Sequence, residues 1–528
     1  MAFFVVKSII SFFVFQVAVR NVMCAVDRTV EAKVSGTAVV EAVVDRIQSS
    51  GIFPDDKLFL RRIAYVESKD GTDSNTYRDN YFGGIWQVDR IGFESTQDTS
   101  SHPGLTSKFE AIRTKFNIDW TTVSWSDLQK PLYSGLAARL FLSNINQVIP
   151  RDISGQATYW KRYYNSNSGA GTEQKFIDDV TELEKQSKCD ILRADLVFVL
   201  DSSGSVGASN FQQMLTFVQN VVNSMEVGLD KIRVGLIKYS SSSLIEFDLN
   251  DYTNNASVIQ RIGNVNYIGG GTATHLGLSS LVNVMKSSGR QNVTGTPQIG
   301  IVITDGRSNS KPLTVQYAER VHENDIIVFA VGVTTGIDYS ELQSIASDPD
   351  SKYVFDLTDF TDFSSFKSEI EARTCKVSTE VNAEAEITGT LKKDQAAYFT
   401  FAASVESGAT IKVAMTAGQT SMYASYTTSN PSPAFYDHKL DSDTSKGFYD
   451  FYIPPPPSLS RVRRDVSNST ANSTVSLYTS IYGTGTGDTN TFKITMYVGQ
   501  ENFGGSGTVS GCLKNIALAV LLCMMVYS

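Results

Sequence analysis

One stretch near the middle of the chain, residues 194–205, constrains the fold more than any other. Residues 196–200 are all apolar and include two valines and a phenylalanine, which suits a strand buried on both faces of a parallel sheet. The run stops at Asp201, and Ser203 and Ser205 follow at alternate positions, with a glycine between them that allows a tight turn. Open α/β sheets bind ligands at the carboxyl ends of their strands, so these oxygen-bearing side chains predict a site for a hard divalent cation such as Mg²⁺.

Two later segments can complete such a site. Residues 269–274 form a glycine-rich loop that opens a helical pattern, and Thr272 in this loop offers a further hydroxyl. Residues 299–304 are a second apolar run, interrupted by one glycine, and the run ends in Asp305. Strands and helices alternate at this spacing through residues 189–376, which predicts an α/β domain with a doubly wound parallel sheet.

The order Asp-x-Ser-x-Ser, then Thr, then Asp resembles the metal-ion-dependent adhesion site of the von Willebrand factor A domain family. The resemblance carries the site to Asp201, Ser203, Ser205, Thr272 and Asp305. It implies that the three hydroxyls ligate Mg²⁺, or Mn²⁺ or Ca²⁺ in its place, and that the two aspartates partly reach the ion through water. A carboxylate from an extracellular partner would complete the coordination shell of the ion. The alternative is that these residues are only helix caps and turn residues.

Composition limits the class of protein. The chain has 528 residues, which is too many for one hydrophobic core and predicts three or four domains. The net charge is −9, and no basic face rich in aromatic residues is present in the sequence. Nucleic acid is therefore not expected as a partner. The acidity agrees with an extracellular protein that binds cations.

Both ends of the chain have the pattern of processing signals. Residues 1–25 contain long apolar runs and end in small residues, which predicts a secretory signal peptide cleaved near Ala25. Residues 504–528 begin with small residues and a polar spacer and end in twelve apolar residues, too few to span a bilayer. This is the pattern of a glycosylphosphatidylinositol (GPI) attachment signal, with Gly504, Gly505 or Ser506 as the attachment site and the membrane as a partner. A plainly secreted protein is the alternative.

The cysteines agree with an extracellular location. The chain has five cysteines, at positions 24, 189, 375, 512 and 523. The two processing events would leave only Cys189 and Cys375, which flank the α/β domain closely on both sides. A pair of this kind in a secreted protein predicts a disulfide bond, and A domains often have such a bond joining their termini. Four glycosylation sequons fit the same compartment: Asn255, Asn292, Asn468 and Asn472.

Residues 26–188 form the first predicted domain, and one acidic residue is prominent in it. A helix is expected over residues 55–69, in which Leu60, Ile63, Ala64 and Glu67 fall on one face. A carboxylate on this apolar stripe would be desolvated, which raises its pKa and lets it donate a proton near neutral pH. The alternative is an ordinary glutamate at a helix end that forms a salt bridge with one of the neighbouring arginines.

Further segments of this domain resemble the lysozyme-like fold of lytic transglycosylases and goose-type lysozymes. They are Glu67-Ser68, a Gly-Ile-Trp-Gln turn at 84–87, an alanine-containing helix over residues 132–144, and an aromatic cluster that ends in Tyr164-Asn165. The resemblance implies an α-helical domain in which Glu67 is the general acid. It also implies a sugar groove whose predicted binding residues are Trp86, Gln87, Trp160, Tyr164 and Asn165, with the two tryptophans as possible stacking faces.

Residues 377–503 lose helical periodicity and alternate in polarity, which predicts an antiparallel β-sandwich. It resembles the jelly-roll-like domains found beside secreted peptidases, which bind rather than catalyse. A proline run at 454–457 and the basic residues 461–464 interrupt it. The order Arg-x-Arg-Arg resembles the site cut by furin-like convertases, which predicts cleavage after Arg464; an ordinary basic loop is the alternative.

Two functions follow from this organisation. The first is a cell-surface adhesion or matrix-binding protein that grips an acidic residue of an extracellular partner through Mg²⁺, with the lysozyme-like domain binding glycan. The second is a tethered or secreted muramidase or lytic transglycosylase-like enzyme that acts on peptidoglycan through Glu67. A structural protein released into the matrix would use the same metal site.

Overall fold

A computed structural model describes residues 25–165, 171–186, 193–290, 296–333, 336–348, 350–357, 370, 376–442, 448–456, 474–485 and 489–501. The described residues form a helical domain, an α/β domain and a β-rich domain, in that order along the chain. Among them, no helix combines the length and the apolar character that crossing a bilayer requires.

The first domain is helical apart from one short strand. The strand is β1 (Val26–Asp27), and the helices are α1 (Thr37–Ser49), α2 (Phe59–Ser68), α3 (Arg90–Ser95), α4 (Leu105–Phe116), α5 (Pro131–Ser143), α6 (Ile153–Tyr159) and α7 (Glu173–Gln186). A π-helical turn, Trp160–Tyr164, continues α6. The expected face of α2 is confirmed, because Leu60, Ile63 and Ala64 are fully buried. This helix ends where Lys69 adopts a left-handed backbone conformation.

The second domain alternates strands and helices, as predicted. Its elements are β2 (Ala194–Asp201), α8 (Gly207–Asn223), β3 (Ile232–Tyr239), β4 (Ser243–Phe247), α9 (Asn255–Gly263), α10 (Thr274–Ser288), β5 (Gln298–Thr304), α11 (Lys311–His322), β6 (Ile327–Val333), α12 (Tyr339–Ile345), α13 (Asp350–Tyr353) and β7 (Val354–Leu357). Both faces of β2 are buried: Leu196 and Phe198 lie in one apolar cluster, and Val197 and Val199 lie in another on the opposite face. Helices therefore cover the sheet on both sides.

The sheet is not wholly parallel, which corrects the prediction. Its strand order is β4-β3-β2-β5-β6-β7, and every neighbouring pair is parallel except β3 and β4. The chain between β3 and β4 is only three residues long, and such a connection can reverse the chain but cannot carry it back for parallel pairing. The edge strand β4 is accordingly antiparallel.

The third domain consists of two sheets. The strands are β8 (Thr379–Val381), β9 (Glu386–Leu391), β10 (Ala396–Ser404), β11 (Ala409–Ala417), β12 (Thr420–Ser425), β13 (Phe435–Tyr436), β14 (His438–Asp441), β15 (Phe448–Ile453), β16 (Thr474–Gly483) and β17 (Asn490–Val498). One sheet has the order β14-β12-β16-β10-β8 and the other β15-β11-β17-β9. Residues from both sheets share one apolar core. The pairing is antiparallel except between β8 and β10, which are parallel.

The helical domain contacts both other domains. Its strand β1 pairs with β13 of the third domain, with Val26 opposite Tyr436. Lys376 follows the second domain and lies 2.6 Å from a carboxylate oxygen of Glu41 and 3.0 Å from one of Asp45, both on α1. Burial alone would raise the pKa of Glu41, but the charges of Lys376 and Arg61 outweigh burial and hold it at about 2. This ion cluster joins the domains by charge as well as by packing.

Candidate functional site

The metal-site residues predicted from the sequence meet at the carboxyl edge of the α/β sheet. Asp201 is the last residue of β2, and its carboxylate accepts a hydrogen bond from the backbone N–H of Ser203 at 2.8 Å. The Ser203 hydroxyl lies 3.1 Å from that of Ser205, and the Ser205 hydroxyl donates to Asp305 at 2.9 Å. The Thr304 hydroxyl at the end of β5 donates to the second oxygen of Asp201 at 2.7 Å. Hydrogen bonds through the backbone N–H of Ser203 and the hydroxyls of Ser203 and Ser205 therefore bring the two aspartates together.

The glycine-rich loop is hydrogen-bonded to the loop that carries Ser203 and Ser205. Gly269 and Gly270 have positive φ angles of 73° and 106°, which side-chain-bearing residues rarely adopt. The carbonyl of Gly270 accepts a hydrogen bond from the N–H of Gly204 at 2.8 Å, so this loop is fastened to the loop after β2. Thr272 is buried, and its carbonyl accepts a hydrogen bond from the N–H of Asn309. The loop thus brings Thr272 into contact with the segment that follows Asp305.

The two carboxylates of the site lie in an unfavourable environment for negative charge. Asp201 is fully buried and Asp305 nearly so. Burial raises the pKa of Asp201 to about 6, with a smaller contribution from the charge of Asp305, although hydrogen bonds from Ser203 and Thr304 oppose the rise. Burial also raises the pKa of Asp305. The two buried carboxylates and the hydroxyls of Ser203 and Ser205 are all oxygen donors, and a divalent cation would fit both their chemistry and their charge.

Residues 195–369, which include this α/β sheet, match the model of the von Willebrand factor type A domain family. Chicken matrilin-1 is 34% identical over 181 residues, which is 34% of this chain and 36% of matrilin-1. The mouse collagen alpha-4(VI) chain is 34% identical over 183 residues, which is 34% of this chain and 8% of the collagen. The transmembrane cell adhesion receptor mua-3 of Caenorhabditis elegans is 34% identical over 32% of this chain and 5% of the receptor.

The similarity covers only part of each relative. This chain spans between 8% and 36% of the length of the first four relatives. Among solved structures, the proximal thread matrix protein 1 from the mussel byssus is 22% identical with a TM-score of 0.32, covering 39% of this chain and 53% of that one. The manganese-loaded TRAP protein of Plasmodium vivax is 17% identical with a TM-score of 0.30, covering 40% of this chain and 87% of that one.

Glu67 of the helical domain forms the second candidate site. It lies in the last turn of α2, partly exposed to solvent, and its carboxylate accepts a hydrogen bond from the indole N–H of Trp160 at 2.7 Å. Burial raises the pKa of Glu67 to about 7, although the Trp160 bond and the charge of Lys175 act in the opposite direction. The simpler alternative of a salt bridge is wrong, because Arg61 pairs with Glu41 and Asp70, and Arg62 pairs with Glu184.

Of the predicted sugar-binding residues, Trp160 contacts Glu67 directly, and two of the five cannot act as predicted. Trp86 is fully buried and Trp160 nearly so, and the Trp86 indole N–H donates to the carbonyl of Leu60. Neither ring presents a face to solvent, so the prediction that they stack on sugar is corrected: both belong to the core. Tyr164 donates its hydroxyl to the carbonyl of Trp86 at 2.7 Å.

The side chains of the remaining two predicted groove residues, Gln87 and Asn165, form hydrogen bonds with residues close to them in the chain. The amide N–H₂ of Gln87 donates to the carbonyls of Gly84 and Thr76 at 2.6 and 3.2 Å, and its amide oxygen accepts from Arg78. The amide oxygen of Asn165 lies 3.3 Å from the ammonium of Lys161. Both side chains are partly exposed.

Residues that the sequence did not single out lie closer to the solvent side of this site. Tyr81 and Phe82 are partly exposed, and each ring packs edge-on against Trp125 at about 5.5 and 5.3 Å between centroids. Burial raises the pKa of Tyr81 to about 12, and the charges of Glu67 and Asp89 act in the same direction. The only sequence signal for these residues is an aromatic pair directly before the glycine turn.

The predicted modification sites mostly lie outside the described residues. This holds for Cys189, Cys375, Asn292, Asn468, Asn472, Arg464, Gly504, Gly505 and Ser506. Asn255 is described, and its amide nitrogen donates to the carbonyls of Val222 and Met225, both at 2.8 Å. An attached glycan would replace one of the two donated hydrogens. The structure therefore argues against the predicted glycosylation of Asn255.

Proposed function

We propose that this protein is an extracellular adhesion or matrix-binding protein that holds an acidic residue of its partner through a divalent cation. The observation that carries the proposal is the set of hydrogen bonds that brings Asp201, Ser203, Ser205 and Asp305 together at the carboxyl edge of the sheet. Buried carboxylates without a compensating cation are unfavourable, so the site favours a bound ion.

In this proposal the hydroxyls of Ser203, Ser205 and Thr272 ligate the ion, and Asp201 and Asp305 balance its charge. Mg²⁺ is the expected ion, with Mn²⁺ and Ca²⁺ as substitutes, because all the donors are hard oxygens. The ion supplies a vacant position for an oxygen of the partner. Ser205 is exposed, so a carboxylate can approach the site from solvent. The similarity of this domain to matrilin-1 and to a collagen VI chain supports a partner in the extracellular matrix.

The test is binding of the secreted chain to immobilised matrilin and to immobilised fibrillar collagen, in Mg²⁺ and in EDTA. Wild type should bind at least one of them in Mg²⁺ only. Asp305→Ala should abolish this binding, because it removes one of the two carboxylates that balance the charge of the ion. Glu319→Ala, which removes an exposed carboxylate on α11, is the matched control and should bind like wild type. Undiminished binding in EDTA would refute the proposal.

Processing belongs to the same proposal. Removal of residues 1–25 and attachment of a GPI anchor at residues 504–506 would place the A domain on the cell surface. Phosphatidylinositol-specific phospholipase should then release the protein from expressing cells; protein found only in the medium would favour a secreted matrix protein. Mass mapping should find Cys189 joined to Cys375, and cleavage after Arg464 should give two fragments under denaturing conditions.

A second candidate function is cleavage of bacterial cell-wall glycan by the helical domain. The observation that favours it is the position of Glu67, whose carboxylate is held by the indole N–H of Trp160 and has no salt bridge among the described residues; burial raises its pKa to about 7, so that it can hold a proton at neutral pH. The partly exposed aromatic residues Tyr81, Phe82 and Trp125 offer a surface for sugar rings near this carboxyl group. Enzymes of the transglycosylase type need a single carboxylic acid, so the resemblance predicted from the sequence motifs requires only one residue in this role.

Clearing of peptidoglycan by the secreted chain tests this candidate. Wild type should clear the suspension and Glu67→Gln should not, because glutamine cannot donate the proton. Glu110→Gln, at an exposed position of α4, is the matched control and should clear like wild type. No clearing by folded wild type would leave glycan binding as the role of the domain.

A further inference from the structure

The rim of the metal site carries two charged side chains that the site itself does not use, and only one of them is already paired. Four loops form this rim: residues 201–206, 239–243, 266–273 and 305–311. Their charged residues are Asp201, Asp305, Arg307 and Lys311. Lys311 is already paired, because its ammonium lies 2.9 Å from the carboxylate of Asp338.

Arg307 differs from these other charged residues. It is exposed to solvent, two residues after Asp305, and no hydrogen bond or ion pair joins it to the described residues. Hydrogen bonds hold the backbone on either side of it: the carbonyl of Gly306 accepts from the Thr304 hydroxyl at 3.3 Å, and the N–H of Ser308 donates to Glu341 at 3.3 Å. A flexible cation therefore projects from a fixed loop beside the site.

The rim also carries an exposed apolar residue on the glycine-rich loop. Ile268 is 50% exposed, although its backbone N–H is held by the hydroxyl of Ser202 at 3.0 Å. The next residue, Gly269, donates its N–H to the carbonyl of Ser202. The Ile268 side chain is thus presented from a second fixed loop. The loop of Arg307 and the loop of Ile268 both contact the segment that carries Ser203 and Ser205.

We propose that Arg307 and Ile268 select the partner: a segment with two acidic residues close together and an apolar neighbour. This inference rests on the proposed adhesion function. A divalent ion balances the two negative charges of Asp201 and Asp305, so the filled site has no net attraction for a second anion. The unpaired guanidinium of Arg307 supplies that attraction, while the ion takes the first carboxylate. An apolar side chain of the partner covers Ile268, because burying both surfaces removes them from water.

An array of hexapeptides tests the proposal with the labelled full-length chain. Each peptide carries one fixed glutamate, and each neighbouring position is varied through aspartate, alanine, lysine and leucine. In Mg²⁺, wild type should prefer a second acid over alanine by about five-fold, the scale of one solvent-exposed ion pair. Arg307→Ala should lose this preference but keep Mg²⁺-dependent binding of singly acidic peptides, and Arg307→Glu should prefer lysine at the same position. Ile268→Ser should lose the preference for leucine.

Two controls separate partner selection from damage to the site. Lys286→Ala removes an exposed cation near the far end of α10, about 18 Å along the helix from Thr274, and should leave every preference unchanged. Mn²⁺ affinity, measured by electron paramagnetic resonance without peptide, should be the same in wild type and Arg307→Ala. A lowered Mn²⁺ affinity would show that Arg307 acts on the metal site, and an unchanged acid preference in Arg307→Ala would also overturn the inference. If no acidic peptide binds wild type better in Mg²⁺ than in EDTA, the adhesion function fails as well.

Discussion

Replacement of Glu67 by glutamine should stabilise the helical domain at high pH and leave its stability almost unchanged at low pH. The pKa of Glu67 is raised from 4.5 to about 7 by burial. Between pH 4.5 and about 7, the folded state therefore keeps a proton on Glu67 that the unfolded state has released. As a result, stability falls as the pH rises through this window and does not change further above it. Glutamine keeps an oxygen that can accept the Trp160 hydrogen bond but never becomes charged.

The size of the effect follows from the same two values. A difference of about 2.5 pH units corresponds to about 3 kcal/mol of unfolding free energy at pH 8. This is an upper bound, because the side chain is partly exposed and solvent screens its charge. At pH 4.5 the same arithmetic gives less than about 0.5 kcal/mol.

Tryptophan fluorescence during urea unfolding of the full-length chain measures this effect. The four tryptophans of the chain are at positions 86, 120, 125 and 160, so the signal reports the helical domain alone. Glu67→Gln should raise the urea midpoint at pH 8 much more than at pH 4.5. The exposed control Glu110→Gln should change neither midpoint by a comparable amount. An equal shift at both pH values, or a lowered midpoint at pH 8, would refute the reasoning that Glu67 is strained by burial.

Three other expected outcomes test separate contacts. Ser134→Ala should lower the urea midpoint and reduce the free energy of unfolding by about 2 kcal/mol, because the buried hydroxyl donates to the carbonyl of Gly83 and accepts from the N–H of Trp86. The exposed control Ser107→Ala should change neither quantity. Lys376→Met should destabilise the helical domain by about 1–2 kcal/mol, since it removes the cation beside two carboxylates of α1, whereas Lys376→Arg should preserve most of the stability. Peptide mass spectrometry should find Asn255 without glycan, and a glycosylated Asn255 would contradict the hydrogen bonds described for its amide.

Local patterns were sufficient to predict the α/β domain because its strands are buried on both faces. Each strand is a short apolar run that ends in polar residues, so its position can be read without knowledge of its neighbours. Asp201 and Asp305 of the predicted metal site follow from these strand ends, whereas Thr272 lies on a loop and was assigned through the resemblance to the A-domain motif. Pairing direction is a different matter: nothing in residues 243–247 distinguishes a parallel from an antiparallel edge strand, and only the short connection to β3 decides it.

The helical domain was less predictable because its decisive contacts are distant in sequence. Arg62 is paired with Glu184, which is 122 residues away, so a pattern of neighbours could not exclude a bond to Glu67. The neighbouring sequence also looks the same whether a tryptophan lines a groove or packs in a core. Whether Trp86 faces sugar or core depends on the packing of helices around it, which the local sequence does not determine.

The long pairing of β2 has a mechanical consequence. The chain enters the A domain at Ala194, and the metal site begins at Asp201 at the opposite end of the same strand. In the proposed adhesion function, tension between a bound partner and the preceding chain would therefore run along β2. This strand pairs with β3 over eight residues and with β5 over six. Both neighbouring strands lie along the direction of pull. All these hydrogen bonds share the load in shear instead of opening one after another, which makes the central strand suited to an attachment point under force.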